Sequence, residues 1–246
     1  MMAEPFGIVS GALSVAAIFT TCVDCFNYVQ LGRRFGKDYQ TSLLTLNVVQ
    51  LRLSRWGEAI NIYNDPQLGN PNATKKEVQA AKDVLLQILL LFADTEKLSK
   101  KFKLEATRSE DLSVYSATDI DPVVMSLANK MRDLAFRRQK DASLLKVTRW
   151  ALYNRQKFRE LISDITTLVD GLEELFPPPA QQVERLAKQE FSEVDCKEQE
   201  LSLLENASEG VDDLLYNAAM EVRKGHIYEQ VTATDTSKVL DGTHML

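Results

Sequence analysis

Eighteen consecutive residues near the N-terminus, Phe6 to Val23, carry no charge: FGIVSGALSVAAIFTTCV. A helix that is apolar on every side has two stable environments, a protein core or a bilayer. A run of this length sits at the short end of the roughly 17–25 residues a membrane span needs. Any fold open to this chain must therefore hide the run. Its candidates for membrane insertion are Phe6, Gly7, Ile8, Val9, Gly11, Leu13, Val15, Ile18, Phe19 and Val23. Gly7 and Gly11 make a small-xxx-small pair that permits close helix approach. From the residues alone three readings stand: a buried core helix, which the moderate greasiness of a Gly-, Ala-, Ser- and Thr-rich run favours; a permanent span; and a segment that switches between the two. A secretory signal does not fit, because Met1-Met2-Ala3-Glu4 supplies one acid and no Lys or Arg. Exposed to water the run would promote aggregation, so it is expected to be helical and mostly buried at rest.

The rest of the chain reads as helices. Tyr39, Leu43, Leu46, Val49, Leu53, Trp56, Ile60 and Tyr63 recur at spacings of three and four, predicting one long helix that ends at the Asp65-Pro66 and Asn70-Pro71 turn. Thr74-Lys-Lys-Glu77 is a capping box opening the next helix. Its apolar surface (Val78, Ala81, Leu85, Ile88 and Phe92, thickened by Leu86, Leu89, Leu90 and Leu91) is broad enough to predict a central helix. Asp121-Pro122 reads as an N-cap with proline at the first helical position. Further stripes run from Val124 to Leu134, through Leu144, Leu145, Val147, Trp150, Ala151 and Leu152, and from Phe158 to Phe176, where Pro177-Pro178-Pro179 stops the helix. Shorter patterns cover Val183 to Phe191 and Val211 to Val222. Phe26, Val29 and Leu31 continue the helical pattern of the first segment, and no convincing pair of strands precedes residue 225. The fold class is all-α, an up-down bundle of long, largely antiparallel helices, with residues 1–224 as the body and 225–246 as a flexible tail.

Charge excludes several functions. A net charge of −6 argues against nucleic-acid binding. The charge is also uneven: residues 130–159 hold ten Lys and Arg against Asp133 and Asp141, and residues 160–213 hold fifteen acids against Arg185, Lys188 and Lys197. Two solvated faces that attract one another explain this; a basic surface for anionic lipid is the sharper reading. The three cysteines, Cys22, Cys25 and Cys196, make no disulfide framework. Cys22 and Cys25 form a CxxC on an apolar helix, without a second ligand pair, and read as packing residues. No nucleotide loop, nucleophile elbow or zinc-helix motif is present. Neighbouring acids such as Glu173-Glu174 point to different sides of a helix. The chain reads as no enzyme, with no cofactor or metal.

Several ordered stretches carry a resemblance. Glu4-Pro5-Phe6-Gly7-Ile8-Val9, Gly11-Ala12-Leu13, Cys22-Val23-Asp24-Cys25-Phe26 and Tyr28-Val29-Gln30-Leu31-Gly32-Arg33 come first. Leu53-Ser54-Arg55-Trp56-Gly57-Glu58-Ala59, Ile88-Leu89-Leu90-Leu91-Phe92, Arg137-Arg138-Gln139-Lys140 and Trp150-Ala151-Leu152-Tyr153 follow. Together they resemble the HeLo domain of the fungal HET-s/HET-S heterokaryon-incompatibility family over most of residues 3–176. The resemblance implies an all-α HeLo bundle and a cell-death effector, cytoplasmic at rest. It also implies that on activation the N-terminal segment inserts in the plasma membrane and forms pores. It implies a trigger in the tail: His226, Tyr228, Val231, Lys238, Val239 and Gly242 resemble one repeat of the family's β-solenoid amyloid motif. The implied partners are the membrane, an HET-s-type amyloid, and an NLR-type receptor carrying a matching repeat, with a homodimer or oligomer left open. A non-enzymatic interaction module, or a prion-inhibiting partner without pore activity, is the alternative.

Overall fold

The computed structural model describes residues 14–106, 111–140 and 149–224. The first helix, α1 (Val15–Cys25), starts at Ser14, whose hydroxyl accepts a bond from the Ala17 amide. A 3-10 turn (Phe26–Tyr28) leads to strand β1 (Val29–Leu31), and α2 (Tyr39–Ala59) follows. Helix α3 (Lys75–Glu105) opens with the expected capping box: Thr74 accepts from the Glu77 amide, and Glu77 accepts from the Thr74 amide. Helix α4 (Pro122–Arg137) is capped by Asp121. Strand β2 (Trp150–Leu152) precedes α5 (Arg155–Leu175), capped by Asn154 and closed before the three prolines. The chain continues through α6 (Ala180–Val194), α7 (Glu198–Ser208) and a helix α8 over residues 213–224.

The all-α class holds, and four details differ from the sequence expectation. Phe26, Val29 and Leu31 do not prolong α1: Val29–Leu31 pairs in parallel with Trp150–Leu152, in the register Val29↔Trp150, Gln30↔Ala151 and Leu31↔Leu152. This ribbon precedes residue 225 and corrects the expectation of no strand pair there. In each strand the outer residues are buried and the middle one half-buried, so a three-residue apolar run passes equally for a helix turn or a strand. The same correction applies to the described end of the Leu144–Leu152 run; Leu144, Leu145 and Val147 lie outside the described residues.

Second, α2 stops at Ala59 rather than reaching Tyr63. Asn61 takes a left-handed backbone (φ 55°), which asparagine tolerates; Ile60 and Ile62 remain buried in the turn, so the apolar pattern outlives the helix. Third, the central helix is α2, not α3. Fifteen of the 21 residues of α2 are buried, polar ones included, whereas α3 leaves Leu90, Leu98 and Leu104 exposed. Fourth, α7 was not expected, because its sequence EQELSLLENAS is short and acidic; Leu201, Leu204 and Ala207 bury one face of it.

Helices α1, α4, α5, α6 and α7 all pack on α2. Alongside α3, α1 runs parallel: Cys22 lies opposite Leu85 and Phe26 opposite Phe92. Against α2 it runs antiparallel, with Phe19 beside Trp56 and Val23 beside Gln50.

Candidate functional site

The described half of the uncharged run lies in a cleft between α2 and α3. Ile18, Cys22 and Val23 are fully buried and Phe19 nearly so, while Val15 at the start of α1 is half-buried. The cleft is made by shape. The Phe19 ring meets Trp56 at 6.2 Å between ring centres and Tyr63 edge-on at 6.0 Å. Its outer edge lies against Gly57, where an added Cβ would stand 2.2 Å from Phe19 Cζ. Only the absence of a side chain at Gly57 admits the ring.

Few polar bonds hold α1 to its surroundings. The Thr20 and Tyr63 hydroxyls share one at 2.8 Å. The Cys22 thiol donates to the Leu85 carbonyl at 3.1 Å. Gln50 donates to the Val23 carbonyl at 2.9 Å and to Asn27 at 3.2 Å, and Gln139 donates to Asp24 at 3.0 Å. Burial raises the Cys22 and Cys25 thiols well above their ordinary range, which keeps them protonated and unreactive. Burial likewise pushes Cys196 up to about 12. Among the described residues no group of His, Cys, Asp and Glu is placed to hold a metal.

The far side of α2 is chemically different. The Arg55 guanidinium, 3% exposed, pairs with Glu190 of α6 and with Asp212, the residue just before α8. Asp212 also accepts from the Leu215 amide at 3.3 Å, at the first turn of α8. Arg138, the residue that caps the end of α4, closes the cluster, reaching Glu190 at 2.6 Å and Glu58 at 2.5 Å. One turn along, Arg52 grips Glu173 and Asp170 of α5 and donates to the Val211 carbonyl at 2.9 Å. Burial opposes the charge on Arg55, but Asp212 and Glu190 outweigh it and raise its pKa. For Glu190 burial prevails over Arg55 and Arg138, and its pKa is raised.

These residues were not singled out by sequence. Arg55 sits in the stretch Leu53–Ala59 as an ordinary polar gap in an apolar stripe. The available signal was the α2 sequence itself, whose apolar residues occupy more than one face (Leu43, Leu44, Leu46, Val48, Val49, Leu51 and Leu53). A charge on a helix surrounded on all sides must be paired. The expected attraction between the basic and acidic stretches is present in part, through Arg138–Glu190 and Arg137–Glu193. The more buried acids are answered from α2.

Of the residues proposed for membrane insertion, Val15, Ile18, Phe19 and Val23 lie together on α1. Phe6, Gly7, Ile8, Val9, Gly11 and Leu13 lie outside the described residues, as do the six tail positions His226, Tyr228, Val231, Lys238, Val239 and Gly242. Among the described residues no helix is long and apolar enough to cross a membrane.

Comparison with known proteins covers the same ground. The family model HeLo, described as prion-inhibition and propagation, matches residues 7–204. Heterokaryon incompatibility protein s of Podospora anserina is 44% identical over 220 residues, covering 89% of this chain and 75% of that protein. Heterokaryon incompatibility protein S of the same fungus is 43% identical over the same shares. The solved HET-S N-terminal domain superposes with a TM-score of 0.81 at 42% identity, covering 89% of this chain and 97% of that one. A double mutant of the HET-s N-terminal domain gives 0.77 at 41% identity, over 85% and 97%.

Proposed function

The chain belongs to the HeLo family of prion-inhibition and propagation, and we propose that it is a fungal heterokaryon-incompatibility effector that kills by placing its N-terminal segment in a membrane. The observation that carries this reading is the setting of α1. An apolar helix lies in a close-fitting cleft, held by few hydrogen bonds. A bilayer offers the same apolar surroundings that the cleft does, so little directional bonding opposes the exchange. In this reading the protein rests in the cytoplasm and acts at the plasma membrane.

The release signal is proposed to enter from the tail. Residues 225–246 follow α8 directly. Templating of His226–Gly242 by an amyloid of matching repeat, its own or an NLR-type receptor's, would draw on α8 and so on Asp212 and Arg55. Stacked rungs pair each backbone group with the copies above and below, a large enough gain to compete with a terminal helix. The second reading, a HeLo interaction module without pore activity, is favoured by the 11-residue length of α1, about half of a span.

Dye release from anionic liposomes separates them, using the full chain with and without fibrils of the 225–246 peptide. Val15→Glu is the informative variant. Val15 is half-buried at the start of α1, so a charge there is compatible with the folded state, yet it falls at the middle of Phe6–Val23, where insertion costs about 2.5–3.5 kcal/mol more. Ile18→Lys confounds the two, since Ile18 is fully buried. Wild type should release dye only with fibrils, and Val15→Glu, melting normally, should not. Equal release by the variant would sink insertion; no release by either favours the module.

A further inference from the structure

Beyond the C-terminal end of α1, the last turns of α3 meet the β1/β2 ribbon and the segment 112–114. A cleft of about 400 Å³ opens there. Among the described residues that line it, Lys100, Lys103 and Arg149 are cations and none is an acid. In a chain of net charge −6 this is a local reversal. All three side chains stand at the surface. Lys100 touches Glu96 one turn back at 2.6 Å, which occupies one of its three donors. Lys103 and Arg149 make no ion pair among the described residues. Gln30 and Tyr153 add polar groups to the wall.

The surroundings sharpen the point. Arg132 stands close enough to Arg149 that, after burial, the Arg149 charge is what depresses its pKa. The buried Arg132 Nε has no hydrogen-bond partner. Asp133 offsets this only in part; like charges held together are unfavourable, and an anion on Arg149 in the cleft would ease the pair. The size suits a small phosphorylated group. Arginine offers a planar fork to phosphate oxygens, and lysine a mobile point charge. Leu104, one turn after Lys100 and so on the same side of α3, is 87% exposed. A bare aliphatic side chain beside a cationic cleft suits a lipid headgroup better than a free ion.

We propose that this cleft binds a phosphomonoester-bearing anion, with Lys100, Lys103 and Arg149 on the phosphate oxygens. This site is independent of α1 insertion and of the tail. Two sources supply that chemistry, a phosphoinositide headgroup in a membrane and a soluble inositol phosphate.

The test measures binding of the full chain to two probes. One is phosphatidylcholine vesicles doped with phosphatidylinositol bisphosphate; the other is soluble inositol trisphosphate. Lys103→Gln with Arg149→Gln should weaken binding on the order of thirtyfold. Lys75→Gln with Lys76→Gln, the same change of net charge at the far end of α3, should leave it within about twofold. Both pairs are exposed, and a thermal melt confirms folding. If Leu104→Ser weakens the vesicle arm alone, the ligand is the lipid; if it weakens neither arm and vesicles give no gain over the soluble probe, the ligand is the soluble phosphate. Either result supports the site. Wild type binding neither probe, or both double variants behaving alike, overturns it.

Discussion

On one side of α2, α1 is held by fit: Phe19 over Gly57, Ile18 and Val23 in the core, and a handful of hydrogen bonds, one of them to the Asp24 carboxylate. On the other side, α6 and the start of α8 are held by charge: Arg55 between Glu190 and Asp212, with Arg138 behind. The difference decides which attachment can be traded for another environment. Apolar contacts are non-directional, and lipid replaces them. A buried ion pair has no substitute partner, so breaking it strands charges and the loss is all-or-none. On the proposed reading, the apolar attachment is the one open to exchange and the charged one stays until something forces it. Both lean on one helix, so a change at Arg55 and a change at Gly57, two residues apart, act on the same rod from opposite faces.

The largest expected effect comes from striking the charged side. Arg55→Met leaves Asp212 buried without a guanidinium and Glu190 with Arg138 alone, and global stability in urea should fall by about 3–5 kcal/mol. Hydrogen exchange should quicken in α6 and α8 ahead of α3. A loss under about 1 kcal/mol would mean that the pairs are ornamental and the contrast with α1 empty.

A smaller effect, on the other side, comes from filling the gap under Phe19. Gly57→Ala forces the ring to move, at a cost of about 1–3 kcal/mol. Exchange should rise first in α1, with α6 protection kept. If α6 loosens equally, the two attachments are one cooperative unit.

The smallest effect is in pH. The folded pKa of Glu190 is raised, chiefly by burial. The folded protein therefore holds that proton more tightly than the unfolded chain, and Glu190 costs stability as pH rises through the window between its ordinary and raised values. Compared with wild type, Glu190→Gln should thus look better at high pH than at low. Parallel urea titrations across mildly acidic and neutral pH check this; a gap that moves the opposite way refutes the assignment. Acid acting on Glu190 does not loosen this side of α2.

Much of the fold was legible in the sequence because helices advertise themselves locally. The Thr74–Glu77 box, the Asp121-Pro122 start and the stripe from Phe158 to Phe176 each signal within a turn or two of chain. The ribbon was not legible. Val29–Leu31 and Trp150–Leu152 are three residues each, and their pairing is set by tertiary placement across more than a hundred positions. The end of α2 was misplaced for a related reason: the turn at Asn61 keeps Ile60 and Ile62 on the buried side, so hydrophobic spacing carries on where helical bonding stops. At the candidate site, the fate of Ile18, Phe19 and Val23 followed from the lack of charge in Phe6–Val23. The partners of Arg55 did not, since nothing at Arg55 announces acids more than a hundred positions away in the chain.

The ribbon also bears on mechanics. Three residues, Phe26–Tyr28, separate α1 from β1, and β1 is parallel and in register with β2. If α1 leaves its cleft, Val29 becomes the point of a leash. The six steps from Val23 to Val29, drawn out straight, reach about 20 Å. In the proposed reading, a segment inserted as far as Val23 stays tied by that length to a bundle that keeps its ribbon.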